Sequence, residues 1–152
     1  MEAGKMKRSV IYLFFLSIVI VAGIYIVLNR GRVHEVSLDQ LFTSPGMYHG
    51  KRIATEGFLF HGWEVTVLCD SLEYSGYAEG HLVPSNMVVW VEGEIPQDVY
   101  DGLDKQHMLG PEERFGLVRV TGRYEYGGRY GHNGGYGSQI VASKIELLDK
   151  PS

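Results

Sequence analysis

The sequence predicts a mainly β domain in which five strands close into a small barrel, preceded by one transmembrane helix. Segments of alternating apolar and polar residues recur after residue 50, and turns that contain glycine separate them. A run of 19 uncharged residues lies upstream of these segments. The chain of 152 residues has room for one modest domain beside that run.

Residues 10–28 are predicted to form the transmembrane helix. A helix of 19 residues rises about 29 Å, which matches the hydrocarbon core of a bilayer. Fourteen of its residues are Val, Ile, Leu or Phe. The run is longer than the apolar part of a secretory signal, and no A-x-A-like cleavage site follows it. We therefore expect an uncleaved anchor between a basic segment at 1–9 and a connector at 29–35.

The charges that flank this helix predict its orientation. Three Lys or Arg residues and the terminal amine precede it, whereas Arg30 and Arg32 follow it. An excess of positive charge marks the cytoplasmic side of a membrane helix. We expect a single-pass protein of the cell membrane with its N-terminus inside. The domain is then extracytoplasmic, and the bilayer is a partner through residues 10–28.

A short helix is predicted over residues 36–42, before the first strand. Ser37 has the position of an N-cap, and Gln40 follows at the spacing of a capping box. Residues 44–46, which read Ser-Pro-Gly, are expected to end this helix.

The five predicted strands occupy residues 51–60, 63–69, 87–91, 116–126 and 138–148. Gly57 inside the first strand indicates a bulge or a sharp bend. Residues 70–86 are predicted to be a polar loop, and residues 95–110 an irregular or partly helical insert between strands 3 and 4. An open sheet of five short strands would leave two unpaired edges, which closure into a barrel removes. The domain is expected to span 36–148, with a tail at 149–152.

Two segments carry a resemblance to OB-fold proteins. Residues 50–57 (GKRIATEG) and 118–124 (VRVTGRY) are similar to the strand patterns "gk-x-v-x-v-x-G" and "v-x-V-x-G" of that fold. The resemblance covers residues 36–148, and membrane-anchored proteins with one exported OB domain look similar in layout. It implies an OB-like barrel that binds ligands on its face and in the loops joining strands 1–2 and 4–5.

The fold resemblance implies binding but no reaction. No serine stands in a G-x-S-x-G elbow, and paired acidic residues such as Glu112 and Glu113 show no acid–base role in the sequence. We therefore expect a non-enzymatic binding or interaction module. Its partner is expected to be a membrane or extracytoplasmic protein, or a small ligand.

The loop at 127–137 is predicted to take part in binding, because six of its 11 residues are glycines interleaved with rings and charges. The alternative is a flexible hairpin connection whose tyrosines pack over the barrel mouth. The candidate ligand-binding residues are Arg129, Tyr130, His132 and Tyr136 in this loop, and His61 and Trp63 in the turn between strands 1 and 2.

The charge distribution argues against nucleic acid as the partner. Residues 33–152 hold nine Lys or Arg and 17 Asp or Glu, a net charge of −8. Nucleic-acid affinity depends on cations that displace counterions from phosphates. Single-strand binding stays an alternative because it is a common use of the OB fold. Arg114, Arg119, Arg123 and Arg129 are clustered in the sequence, where a local basic patch is the alternative. We interpret the strand arginines as solvated residues on the outer face.

A short motif suggests haem as an alternative cofactor. His132 and Tyr136 form an H-x-x-x-Y motif, and residues 89–96 look like a strand followed by Gly-x-x-Pro. Both features are similar to the periplasmic haem chaperones of cytochrome c maturation, which are also single-anchor OB proteins. The resemblance implies His132 as the haem-attaching residue and Tyr136 as the axial ligand. In that family, however, the motif follows the last strand, whereas here it precedes it.

No metal site is predicted, and no cofactor is expected apart from that alternative. The six histidines are scattered without metal-binding spacing. The single cysteine excludes an intramolecular disulfide and multi-cysteine zinc sites. Cys69 is expected to be a small buried hydrophobic residue.

Overall fold

The structure, a computed structural model, describes residues 16–20, 31–107 and 110–149. The chain divides into two compact units, Met1–Arg32 and Val33–Ser152.

Residues 16–20 of the first unit are helical. The rest of the predicted transmembrane segment at 10–28 lies outside the described residues. No helix in the described part of the chain has both the length and the apolar character needed to cross a membrane. The expected location and orientation of the chain stay predictions.

The second unit is built mainly from strands. They are β1 (His34–Glu35), β2 (Arg52–Gly62), β3 (Val65–Cys69), β4 (Leu72–Tyr74), β5 (Leu82–Pro84), β6 (Val88–Glu92), β7 (Asp104–Gln106), β8 (Glu113–Tyr130) and β9 (Tyr136–Leu147). The helices are α1 (Leu38–Thr43), α2 (Pro45–Tyr48) and α3 (Gln97–Gly102), with a 3₁₀ turn at His132–Gly134. Seven strands form a mixed sheet in the order β1-β2-β3-β6-β9-β8-β7, in which β2 also pairs with β8. β4 and β5 form a separate two-stranded sheet.

The predicted fold class, a five-stranded OB-like barrel, is therefore wrong. The observed fold has a seven-stranded mixed sheet and a second sheet. The additional strands β1, β4, β5 and β7 lie in the predicted connector, loop and insert. Each is only two or three residues long, so none shows a period-two pattern. β1 and β7 are strands because distant segments, β2 and β8, pair with them.

The long strands β2 and β8 contribute buried side chains to the hydrophobic core. They pair antiparallel from Arg52, opposite Arg123, to His61, opposite Arg114. Burial alternates along β8, so Val118 and its neighbours two residues away share the core face. Side chains of β2, β3 and β6 complete the core and are fully buried: Leu59, Leu68 and Val89.

Ser37 caps helix α1 as the capping-box spacing predicts. Its Oγ accepts a hydrogen bond from the Gln40 backbone N–H at 3.2 Å, and the Gln40 Oε1 accepts one from the Ser37 N–H at 3.0 Å. Leu38 and Leu41 of this helix are buried in the core. The cap therefore fixes where the helix begins, and the two leucines attach it to the sheet.

Cys69 is a free, fully buried cysteine, as predicted. Its thiol lies 3.4 Å from the Phe58 carbonyl oxygen, and burial raises its pKa to about 11. Because the thiolate is the nucleophile, we expect no reaction with a disulfide reagent at pH 8 in the folded protein. Full reaction is expected after unfolding in guanidinium. Fast labelling of the native protein would contradict the burial of Cys69.

The Thr55 hydroxyl is buried and makes no hydrogen bond within the part of the chain that the structure describes. Valine has the same shape without the polar group. Thr55→Val is therefore expected to raise the free energy of unfolding by about 1 kcal/mol, measured by urea denaturation. Thr66→Val is the control, because the Thr66 hydroxyl bonds to His61. A destabilised Thr55→Val would mean that the hydroxyl has a partner.

Candidate functional site

The candidate site lies where the core face of β2 and β8 ends in polar side chains. His61 stands opposite Arg114 on β8 and opposite Thr66 on β3. Residues two apart in a strand share a face, so His61 continues the face of Leu59. Arg114 likewise continues the face of Val118. The apolar core thus ends at an imidazole, a guanidinium and a hydroxyl.

Arg114 is buried, and each of its three guanidinium nitrogens has a partner within the protein. Nε and Nη2 contact the Glu112 Oε1 at 2.6 and 2.5 Å, and Nη1 donates to the Tyr100 carbonyl at 2.8 Å. The guanidinium carbon lies 4.0 Å from the centre of the Tyr100 ring. The interpretation of Arg114 as a solvated residue is therefore wrong, since its side chain is 8% exposed. Arg123 is solvated as expected.

His61 is half-buried and has one engaged ring nitrogen. Its Nδ1 lies 2.8 Å from the Thr66 Oγ1, and its ring meets the Tyr100 ring edge-on with centroids 5.7 Å apart. Burial, and then the positive charge of Arg114, lower the pKa of His61 below its usual value. The ring is therefore uncharged at neutral pH. Within the described residues Nε2 makes no hydrogen bond, so it can bond to a ligand.

Two pockets share His61 as a lining residue. One, of about 330 Å³, extends past Thr66 and Tyr100 to Glu94, and the other, of about 320 Å³, extends past Trp63 to Glu112. We call the two together the His61 cleft. Each volume lies in the range of small-molecule sites, roughly 300–1,000 Å³. Trp63 is 72% exposed at the edge of the cleft, although large aromatic side chains are mostly buried.

A third pocket, of about 400 Å³, lies between β1, α1 and β2. Its charged side chains are already paired with one another. Arg119 bonds to Glu56 at 2.9 Å and also to Glu35. These hydrogen bonds raise the pKa of the guanidinium. Because its charges are mutually satisfied, this pocket is the weaker candidate despite its larger volume.

The predicted recognition loop lies beside the cleft and does not line it. It meets the β2–β3 turn at one ion pair, where the His132 Nε2 lies 3.2 Å from the Glu64 Oε2. Arg129 and Tyr130 lie against glycines of their own loop, Gly134 and Gly128. Of the six predicted binding residues, the structure thus brings His61 and Trp63 to the cleft.

The two residues of the H-x-x-x-Y motif are engaged elsewhere. His132 holds the ion pair with Glu64, and the Tyr136 ring packs on Trp90 with centroids 5.1 Å apart. Burial raises the pKa of Tyr136, which favours the protonated phenol. The ring nitrogen of His132 is therefore paired with Glu64, and the ring of Tyr136 lies against Trp90.

Sequence reasoning missed Thr66, Tyr100 and Arg114 as residues of the site. The alternation along β8 contains a signal for Arg114, which stands two residues before the buried Gly116 on the same face. The predicted strand begins at Gly116, whereas β8 begins three residues earlier, at Glu113. The prediction therefore leaves Arg114 outside the strand. Thr66 and Tyr100 join His61 only through strand register and the packing of α3, which no local pattern encodes.

Comparisons with protein families, curated proteins and solved structures give no match. In the described ranges, no three His, Cys, Asp or Glu side chains gather into a group that could hold a metal ion. The lining of the cleft offers an uncharged imidazole, two aromatic rings and two carboxylates.

The lowered pKa of His61 predicts a loss of stability in acid. As pH falls below about 6.5 the unfolded chain takes up a proton that folded His61 resists, so the free energy of unfolding decreases. His61→Gln is expected to weaken this dependence, measured by urea unfolding at pH 7.5 and pH 5. His34→Gln, at a histidine with no ion pair or side-chain hydrogen bond among the described residues, should keep it. An unchanged pH dependence in His61→Gln would contradict the burial of this ring.

Proposed function

We propose that this chain is a binding module whose ligand occupies the His61 cleft. One observation carries the proposal: a half-buried, uncharged imidazole with an unbonded nitrogen lines two pockets of small-molecule size at once. Binding sites of this kind combine apolar or aromatic walls with a few polar groups that fix orientation. Trp63 and Tyr100 are the walls, and His61 is the orienting group.

The charges around the cleft indicate which ligands fit. The charge of Arg114 is paired with Glu112, and its Nη1 donates to the Tyr100 carbonyl, which weakens Arg114 as a receptor for anions. Glu94 and Glu112 lie in the walls, and the unit from residue 33 onward carries −8. Phosphate-bearing ligands, nucleic acids among them, are therefore disfavoured. The cleft suits a small uncharged or cationic molecule with a flat face and hydrogen-bonding groups.

The test is a thermal-shift screen of the full chain with soluble heteroaromatic fragments such as nicotinamide, adenine and benzamidine. Fragments that stabilise the protein are then titrated by calorimetry into variants. Trp63→Ala and His61→Gln are expected to weaken binding about tenfold or more, which is about 1.4 kcal/mol.

Tyr77→Ala is the matched control, because Tyr77 is 83% exposed and lies outside the cleft. It should bind the same fragments with unchanged affinity. Equal affinities in all three variants would place the binding elsewhere and contradict the proposal.

A further inference from the structure

A second cluster of polar side chains lies at the β4–β5 hairpin, outside the His61 cleft. The Ser75 Oγ lies 2.8 Å from the His81 Nδ1, and the His81 Nε2 lies 2.9 Å from the Glu113 Oε2. His81 is 6% exposed although it stands in a surface loop. Glu113 begins β8, 32 residues after His81, so only the fold brings the three groups into series.

The hydrogen-bond directions in this series follow from the groups themselves. An ionised carboxylate only accepts, so the His81 Nε2 carries the proton that bonds to Glu113. In a neutral imidazole the His81 Nδ1 then carries a lone pair, and the Ser75 hydroxyl donates to it. The Tyr77 N–H donates to the Ser75 Oγ at 3.2 Å, which leaves the hydroxyl hydrogen for His81.

Further contacts hold these three side chains in place. The Gln106 Nε2 donates to the same Glu113 oxygen at 2.9 Å and to the Leu82 carbonyl at 2.7 Å. The Ser75 N–H donates to the His81 carbonyl at 2.9 Å, which closes the loop that carries both residues. The nucleophile, its base and the group that orients the base are thus fixed relative to one another, as acyl transfer requires.

We propose that Ser75, His81 and Glu113 form a Ser–His–Glu triad that hydrolyses small carboxylic esters, an activity beyond the proposed binding function. The Ser75 Oγ attacks the ester carbonyl carbon while its proton moves to the His81 Nδ1. The C–O bond to the leaving alcohol breaks, and the alcohol takes that proton. Water then attacks the acyl-serine, gives a proton to His81, and releases the carboxylic acid as Ser75 recovers its hydrogen.

The surroundings of Ser75 suit this chemistry. Ser75 is half-buried, and Tyr74 and Tyr77 near it are 62% and 83% exposed, so aromatic rings on which a substrate can rest lie beside the serine. The Tyr77 N–H donates to the Ser75 Oγ itself and so helps to orient the hydroxyl. The negative charge of the tetrahedral intermediate develops on a different atom, the former carbonyl oxygen of the ester.

The experiment treats the full chain with a fluorophosphonate probe and maps the adduct by mass spectrometry. Hydrolysis of p-nitrophenyl acetate is measured in parallel. We expect an adduct on Ser75, its loss in Ser75→Ala, and labelling about 100-fold slower in Glu113→Gln. Ser85→Ala is the matched control, because Ser85 donates to Asp70 at 2.5 Å and this bond involves no histidine.

A serine with only a structural role does not form the adduct, so the folded wild-type protein decides the question by itself. No adduct on Ser75, or labelling that persists unchanged in Ser75→Ala, overturns the triad. Circular dichroism confirms that each variant is folded before its rate is compared. Fragment binding at the His61 cleft does not depend on this result, so the two proposals fail separately.

Discussion

Replacing Gly122 by alanine is expected to lower the free energy of unfolding by about 3 kcal/mol. A Cβ at this position would lie 2.3 Å from the Val141 carbonyl oxygen and 2.9 Å from the Ala142 Cα. Both are backbone atoms that cannot rotate away, and the register between β8 and β9 shifts at this point. β8 and β9 would have to move apart at Gly122, in the middle of the segment over which they pair. Denaturation in urea measures the loss.

Gly137→Ala is the matched control for this prediction. Gly137 also belongs to the β8–β9 pair, but a Cβ there meets nothing within 4 Å. Its substitution should change the free energy of unfolding by less than about 0.5 kcal/mol. An equal decrease in the free energy of unfolding in both variants would contradict the prediction, because it would show that the close contact of β9 at Gly122 does not cause the loss.

Arg114→Met is expected to lower the free energy of unfolding by about 3 kcal/mol, because it removes one partner from a largely buried ion pair. The substitution keeps most of the side-chain volume but removes the bonds to Glu112 and to the Tyr100 carbonyl. It also removes the charge that helps to lower the pKa of His61. Proton NMR of the His61 ring should therefore show its midpoint move back toward 6.5.

Arg123→Met separates burial from the mere loss of an arginine. Arg123 pairs with Glu125 at 2.7 Å on the same strand, but its side chain is 61% exposed. Surface ion pairs contribute about 0–1 kcal/mol, so this variant should unfold nearly like the wild type. A loss as large as that of Arg114→Met would contradict the structural role given to the buried arginine.

The features that local sequence could predict are those fixed by neighbouring residues. The Ser37 cap depends on a side chain three residues away, and the buried face of β8 follows from simple alternation. Tyr126 shows where alternation stops being informative. It continues the face of the buried Tyr124, yet it is 47% exposed. β8 and β9 continue here as a hairpin, and β2 ends its pairing with β8 at Arg123.

The prediction of a five-stranded barrel is wrong for a related reason. Strands as short as β1 and β7 have no alternating pattern of their own, and they are strands because β2 and β8 pair with them. The residues of the site likewise fall into those that local sequence indicates and those that only the fold brings together. His61 and Trp63 stood out as a ring pair in a turn, whereas Arg114 reaches His61 only through the register of β2 and β8. Glu113 reaches His81, 32 residues earlier, through a side-chain hydrogen bond, so neither site could be assembled from spacing.

The most direct test of the proposal that the His61 cleft binds a ligand is NMR of the full chain with isotope-labelled histidine rings. Each fragment that stabilises the protein is titrated while all six histidines are observed. We predict that the Nε2 resonance of His61 shifts with the binding curve, and that the exposed His49, which lines neither pocket of the cleft, stays unchanged. Saturable binding that leaves the His61 ring unperturbed would contradict the proposal.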